Sequence, residues 1–384
     1  MIHGRPVLAA FGHALPWAIA IAYFYATPYA LSFGTQVMIW ILFAMSLDLA
    51  LGYAGILTLG HAGFFGLGAY AAGLFAIHVS PDPILGHLAA VALAALFGAI
   101  TGAMILHTSG VTFLMLTLAI VSVLSEYANQ ARGLTGGDDG LQGIRLDPIF
   151  GVFEFNIFGK TAYVYAAVVL FGWFLFAWRI VHSTFGRSVD GIRQNPRRMR
   201  AIGTPVWWRL LAIYTISAAM AGSAGALSAH STRFVGLSVL DLLTSGIVTV
   251  ALILGGTRRL YGAFVGATTY FVVQDWSAKI SPFFWEFVVG GMLIVTVLLL
   301  DAASWISGLL SCGCAIAGAR AGKGNDRVNA HPVSSLSLEK LRCVGRRSRD
   351  RPRPHARRAR RVDRAQRRRQ DDVRQPLDRL SHTR

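Results

Sequence analysis

The chain has 384 residues, of which 54% are hydrophobic and only 14% charged, with a mean hydropathy of +0.51. A soluble protein carries about a quarter charged residues, so this balance excludes a water-soluble globular enzyme. The net charge of +17 says little about the body of the chain, because residues 346–384 alone hold 16 Arg against 5 Asp.

In chain order, apolar runs predict membrane spans at about 14–33, 35–53, 62–79, 84–105, 110–127, 162–182, 209–229, 237–255, 260–275 and 283–300. Runs of this length are what a hydrocarbon layer of about 30 Å demands of helices. The fold class is therefore all-α: a polytopic helical membrane protein with about 8–10 transmembrane helices, the lower counts applying if the glycine-rich stretch 52–70 is re-entrant. One arginine, Arg5, precedes the first run and no small-residue cleavage site is clear, so that run reads as a retained helix and not a removed signal peptide. Many of the 41 glycines fall inside apolar runs, where small residues let helix backbones approach.

The loops set orientation. The stretch 185–209 holds Arg187, Arg193, Arg197, Arg198, Arg200 and Arg209 against Asp190, which makes it cytoplasmic by the positive-inside rule. Counting spans from there puts the 128–161 loop outside, and Arg5, Arg258, Arg259 and the C-terminus inside. Ionisable groups inside the predicted spans are Asp48, His61, Glu126, Asp241 and Glu286. At membrane depth such groups are costly and tend to face the bundle interior.

Four blocks stand out. The first, GYAGILTLGHAGFFGLGAY at 52–70, combines a glycine density suited to a bent or closely packed helix with polar groups available to a pathway. Those groups are Tyr53, Thr58, His61 and Tyr70; the plainer reading is a packing element with a satisfied core histidine. The second is the hydrophilic loop ARGLTGGDDGLQGI at 131–144, carrying Arg132, Thr135, Gly136, Gly137, Asp139 and Gly140. It reads both as a tight turn needing positive φ and as an external surface. The third is the basic segment FGRSVDGIRQNPRRMRAIG at 185–203, and the fourth is ALILGGTRRLYGAFVGA at 251–267, read as close helix packing around a cytoplasmic turn.

Together these blocks resemble the permease subunits of branched-chain amino acid ABC importers, over roughly residues 35–300. The first matches GYxGxxSxGHxxFxGxGAY, with Ile56 and Thr58 where the family has an amide and a serine. The second matches RGLTGGxDGL with Asp138 at the variable position, and the fourth GGxGxxxGxxxGA through Gly255, Gly256, Tyr261, Gly262, Gly266 and Ala267. In the third, Gly191, Ile192, Arg193, Asn195, Ile202 and Gly203 fit the pattern and Pro196 departs from it. The resemblance implies that this segment is a short helix docking into a cleft of a cytoplasmic ATPase. It further implies a multi-pass permease of a bacterial inner membrane, working by ATP-driven alternating access beside a second homologous permease subunit, two ABC ATPases and an extracytoplasmic solute-binding protein. Membrane lipid is the other expected partner, with no nucleic acid. No cofactor is expected in this subunit, since ATP and Mg would be bound by the partner ATPases.

Nothing in frame points to catalysis or a metal: there is no P-loop, no G-x-S-x-G, and Cys312, Cys314 and Cys343 have no partner histidines. Urea or short-chain amide importers share the motifs and form the alternative substrate class. An ion-coupled secondary transporter would show internal repeats with broken helices, and none is visible. Three regions follow: a permease domain at 1–308, a linker-like segment at 309–345, and a tail at 346–384 too arginine-rich to bury a core. Within the linker, HPVSSLSLEKLRC at 331–343 resembles the opening of an ATPase subunit. Read one base later, a permitted set of codons for Arg364–Asp372 encodes Gly-Pro-Asn-Gly-Ala-Gly-Lys-Thr-Thr, a P-loop pattern. The tail is expected to be a neighbouring ATPase gene read out of frame, the alternative being a genuine basic tail that contacts anionic lipid or nucleic acid.

Overall fold

The computed structural model describes residues 6–280 except 28–29, 109 and 149–158, together with scattered residues between 287 and 298, with side chains from Leu15 onward. The tail, the linker, Glu286 and most of the last predicted span lie outside the described residues. Every regular element described is helical, apart from one antiparallel bridge between Leu141 and Val235.

Helix α1 runs Pro6–Ala26 and α2 runs Leu31–Leu47. The sequence predicts the first span eight residues later than this. Pro28 accounts for the earlier end: a residue before proline is disfavoured in the helical region, so α1 stops at Ala26 and α2 starts at Leu31. Helix α2 continues into a π-helical turn at Asp48–Tyr53, and after an irregular stretch α3 runs His61–His78. Next come α4 at Pro83–Ile105, α5 at Val111–Gln130, the short α6 at Arg132–Thr135 and α7 at Lys160–His182. The basic segment folds as α8, Thr184–Gln194, and α9, Pro196–Ala201; α10 (Val206–Thr232), α11 (Leu242–Gly255) and α12 (Leu260–Ile280) complete the bundle.

Burial sorts these helices into a middle and a rim. Helices α2 and α10 are buried over most of their length, while α4, α5 and α7 are buried only along one stripe. Helix α10 packs against α2, α3 and α4, and α2 packs against α7, α11 and α12. On α4 the outward positions Leu85, Leu88, Ala92, Leu96, Ile100 and Met104 recur at three- and four-residue spacing and are all exposed. A helix apolar on both its packed and its open face is what lipid surroundings require.

Among the described residues, five helices are long and apolar enough to cross a membrane, or six if α11 and α12, bent by 115°, form one span. The sequence predicts more. Helix α11 has 14 residues, about 21 Å at 1.5 Å per residue, too short to cross alone. Helix α3 carries two histidines and four glycines, which lower its apolarity, and it is buried among its neighbours. The helical, multi-span class stands; the spacing of crossings differs at these two elements.

Candidate functional site

Three of the four sequence blocks meet at one end of the bundle. The π-helical turn brings Asp48, wholly buried, against the turn between α11 and α12, where its Oδ1 accepts the Arg258 N–H at 2.8 Å. Tyr53 donates its hydroxyl to the Arg258 carbonyl at 3.2 Å. From the basic segment, Asp190 Oδ1 lies 2.5 Å from Arg258 Nη2. A Cβ on Gly52 would overlap the Asp48 carboxylate, so only glycine there leaves the carboxylate its place. A Cβ on Gly55 would stand 2.8 Å from Arg193 Cγ, which brings the end of the first block against α8.

The two kinds of contact differ in strength. A buried bond from an N–H to a carboxylate contributes about 1.5–3 kcal/mol. The Asp190–Arg258 pair has side chains 30% and 46% exposed, and exposed pairs contribute roughly 0–1 kcal/mol. The inner contact is durable and the outer one is readily broken.

Helices α8 and α9 form an elbow. Ser183 caps α8 by accepting the Gly186 N–H at 3.2 Å, and Asn195 caps α9 by accepting the Arg198 N–H at 3.0 Å. Pro196 sits at the first position of α9, where its missing N–H costs nothing; the departure from the family pattern thus starts a second helix. Of the six residues proposed for docking, Ile192 is buried against the bundle while Arg193, Asn195, Ile202 and Gly203 are exposed. Gly191 is half-buried, and a Cβ there would stand 2.9 Å from Met199 Sδ. Gly203 has a φ of +87°. Ile202, 70% exposed among Arg197, Arg198 and Arg200, is an apolar knob on a basic surface. Arg209 ties α8 to α10, donating to Ser188 Oγ at 3.0 Å and lying over the Phe185 ring.

The pathway residues are strung out, not gathered. Tyr53 belongs to the Arg258 junction. Thr58, in the break before α3, and His61, its first residue, are both buried; Thr58 Oγ1 accepts the Gly60 N–H and Ser46 Oγ lies 2.8 Å from His61 Nε2. Ser46 also donates to the Phe43 carbonyl, so the ring nitrogen is the donor and His61 Nδ1 is left without a partner. Ser217 and Ser245 complete this layer, bonding the Ser46 carbonyl and the Ala62 N–H. Tyr70 lies nine residues along α3, buried, with its hydroxyl unpartnered. A groove of about 460 Å³ between α1, α2, α7 and α12 is lined by Trp17, Val37, Met38 and Phe264 with no charged residue, which suits lipid and not a zwitterion.

At the other end of α10 sits the glycine-rich loop. Helix α10 spans 27 residues, about 40 Å, and its start is tied to α8 while Val235, just beyond its end, bridges Leu141. The basic elbow and the loop therefore occupy opposite ends. Arg132 opens α6; Thr135 Oγ1 donates to the carbonyls of Ala128 and Ala131. Gly136, Gly137 and Gly140 all have positive φ, and a Cβ on Gly136 would collide with the Gly140 carbonyl. Asp138 and Asp139 are exposed.

Sequence reasoning missed a second buried polar group, between α4, α7 and α10. Trp173 Nε1 donates to Ser223 Oγ at 2.8 Å, and Ser223 Oγ lies 2.9 Å from His87 Nε2. Indole is donor only, so the serine proton is directed to the imidazole. His230, 2% exposed, lies 6.4 Å from His87 between ring centres, and neither of its nitrogens has a partner. The usable signal was a histidine inside an apolar run. Glu126 and Asp241, in contrast, are exposed near helix ends. Among the described residues no group of three His, Cys, Asp or Glu is placed to hold a metal.

Comparison with known proteins agrees with this architecture. The profile of the family described as "Branched-chain amino acid transport system / permease component" matches residues 29–297. The high-affinity branched-chain amino acid transport system permease protein LivM of Escherichia coli K12 is 26% identical over 305 residues, covering 71% of this chain and 70% of that protein. The protein of the same name from Salmonella typhimurium is 25% identical over 307 residues, covering 73% and 71%. A shorter likeness, 29% over 142 residues, joins 35% of this chain to 40% of the autoinducer 2 import system permease protein LsrC of Enterobacter sp. strain 638. No solved structure matches.

Proposed function

The chain belongs to the family of branched-chain amino acid transport permeases, which are not enzymes, and on that premise we propose that it is one membrane-spanning subunit of an ATP-driven importer of branched-chain amino acids in a bacterial inner membrane. It pairs with a second homologous permease subunit, two cytoplasmic ATPases and an extracytoplasmic solute-binding protein, and binds no cofactor of its own. The observation that carries this reading is the α8–α9 elbow. Its stretch from Arg193 to Gly203 is mostly exposed and basic and includes the exposed Ile202, and α8 is fastened to α10 and to the α11–α12 turn. An exposed apolar residue close in sequence to several exposed arginines suits a cleft in a soluble partner, and the fastening allows partner movement to reach the bundle. The loop at 131–144, at the opposite end, faces the solute-binding protein. Between them, the Ser46–His61–Ser217 layer and the break at 54–60 are where the pathway opens or shuts.

A second reading differs only in cargo. The partial likeness to autoinducer 2 permeases favours another small polar solute over a membrane mechanism of another class. The test is uptake of labelled leucine into proteoliposomes holding both permeases, the ATPases and the receptor. ATP-dependent uptake of leucine supports the first reading. Uptake of a different solute only supports the second, and uptake without ATP or ATPases rejects both.

A further inference from the structure

Arg258 is gripped at three points, and the groups that grip it come from two parts of the fold far apart in sequence. Its φ is +69°, a left-handed conformation that side chains other than glycine rarely adopt. Asp48 accepts its N–H at 2.8 Å, Tyr53 donates to its carbonyl at 3.2 Å, and Asp190 pairs with its guanidinium at 2.5 Å. Main chain is thus held by the π-helical turn and side chain by α8. Asp190 is itself braced along α8, since its Oδ2 accepts Gln194 Nε2 at 2.9 Å. Strained residues persist where their surroundings over-determine them, and they cluster at switching regions.

We propose that Arg258 is the relay through which movement of α8 reaches the core, with Asp190 and Asp48 as its outer and inner positioning residues. The proposal rests on the reading that the α8–α9 elbow docks on an ATPase. The division of labour follows from exposure. The outer pair is open to solvent and breaks or re-forms as α8 shifts, while Asp48, wholly buried, keeps the α11–α12 turn joined to the end of α2 throughout. When α8 moves with the pair intact, the turn and the π-helical segment move with it. Gly52 is part of the device, because a Cβ there would displace the Asp48 carboxylate and would stand 3.0 Å from the Arg258 nitrogen.

The experiment uses the whole reconstituted complex and reads solute taken up per ATP hydrolysed. Asp190→Asn, an exposed change that leaves packing alone, and Arg258→Gly, which keeps both main-chain bonds and relaxes the backbone, are each expected to lower that ratio about five-fold, at the low end of inter-site coupling. Their combination is expected to lower it no further, as for two residues acting through one contact. The exchange Asp190→Arg with Arg258→Asp should recover more than either half alone. Thermal unfolding in detergent should barely move for Asp190→Asn, which separates the relay from a merely structural role. Additive losses, or an unchanged ratio with wild-type coupling intact, would overturn the relay. A wild-type complex whose uptake does not depend on ATP overturns the docking reading instead.

Discussion

The two ends of the bundle are built on different principles. At the end carrying α8 and α9, the elements meet through charged and polar side chains: Asp48, Tyr53, Asp190 and Arg258, with Arg209 on Ser188. At the end carrying the 131–144 loop, backbone dominates: four glycines at positive φ and the Leu141–Val235 bridge, with the Thr135 hydroxyl closing the loop on its own helix. Side-chain contacts across an exposed seam exchange one partner for another at small cost. A loop defined by backbone conformation has one shape or none. The first end is suited to transmitting movement and the second to presenting a fixed surface.

The contrast breaks most severely at the loop. Gly136→Val places a branched side chain at a φ of +79° and its Cβ against the Gly140 carbonyl. Strain of this kind costs about 1–3 kcal/mol before the collision is counted, so the thermal midpoint and the folded yield should both fall, more than for any change below. Unchanged yield and midpoint would mean that the loop is not defined by its backbone.

At the other end, Asp48→Ala should come next. It leaves the Arg258 N–H without its acceptor, a loss of about 1–3 kcal/mol, read as a lower unfolding midpoint, whereas Asp48→Asn keeps an acceptor oxygen and should recover most of it. Equal losses in the two variants would show that the carboxylate's charge, and not the bond, holds the turn. Asn195→Ala removes the cap of a six-residue helix, worth about 1 kcal/mol. Its effect should be confined to faster amide exchange over 196–201, with the global midpoint nearly fixed.

A buried contact outside both ends sharpens the comparison. Ser223→Ala strips Trp173 and His87 of their shared partner, and one unsatisfied buried group costs about 1–3 kcal/mol. The unfolding midpoint should fall while the ratio of solute to ATP is preserved. A fall in that ratio would place the His87 group in the transport cycle.

What could be read in the sequence follows from the range of the signal. Spans at 84–105, 110–127 and 162–182 were legible to within a few residues because each is a continuous apolar run ending in polar residues or glycine. The start of α2 differs by four residues because the apolar run continues through Pro28, and α11 and α12 are two helices as their apolar runs indicate, while neither the 14-residue length of α11 nor the 115° bend shows in composition. The glycines of 131–144 announce positive φ, and the structure places Gly136, Gly137, Gly140 and Gly143 there, though not Gly133. The Arg258 junction was beyond reach. Asp48 and Arg258 are 210 residues apart, and their meeting depends on a π-helical turn whose register no local pattern states. His87 and His230 carry the same signal as Asp48, an ionisable group in or beside an apolar run.

The most direct test of the account concerns Ile202, the exposed apolar residue on the basic elbow. With Cys312, Cys314 and Cys343 replaced by serine, Ile202→Cys would be exposed to an impermeant thiol reagent in inside-out vesicles, with and without the partner ATPases. The expected result is rapid labelling of bare vesicles and strong protection once the ATPases are bound. Labelling that the ATPases leave unchanged, or that occurs only in right-side-out vesicles, would contradict the placement of α8 and α9 as the cytoplasmic docking surface.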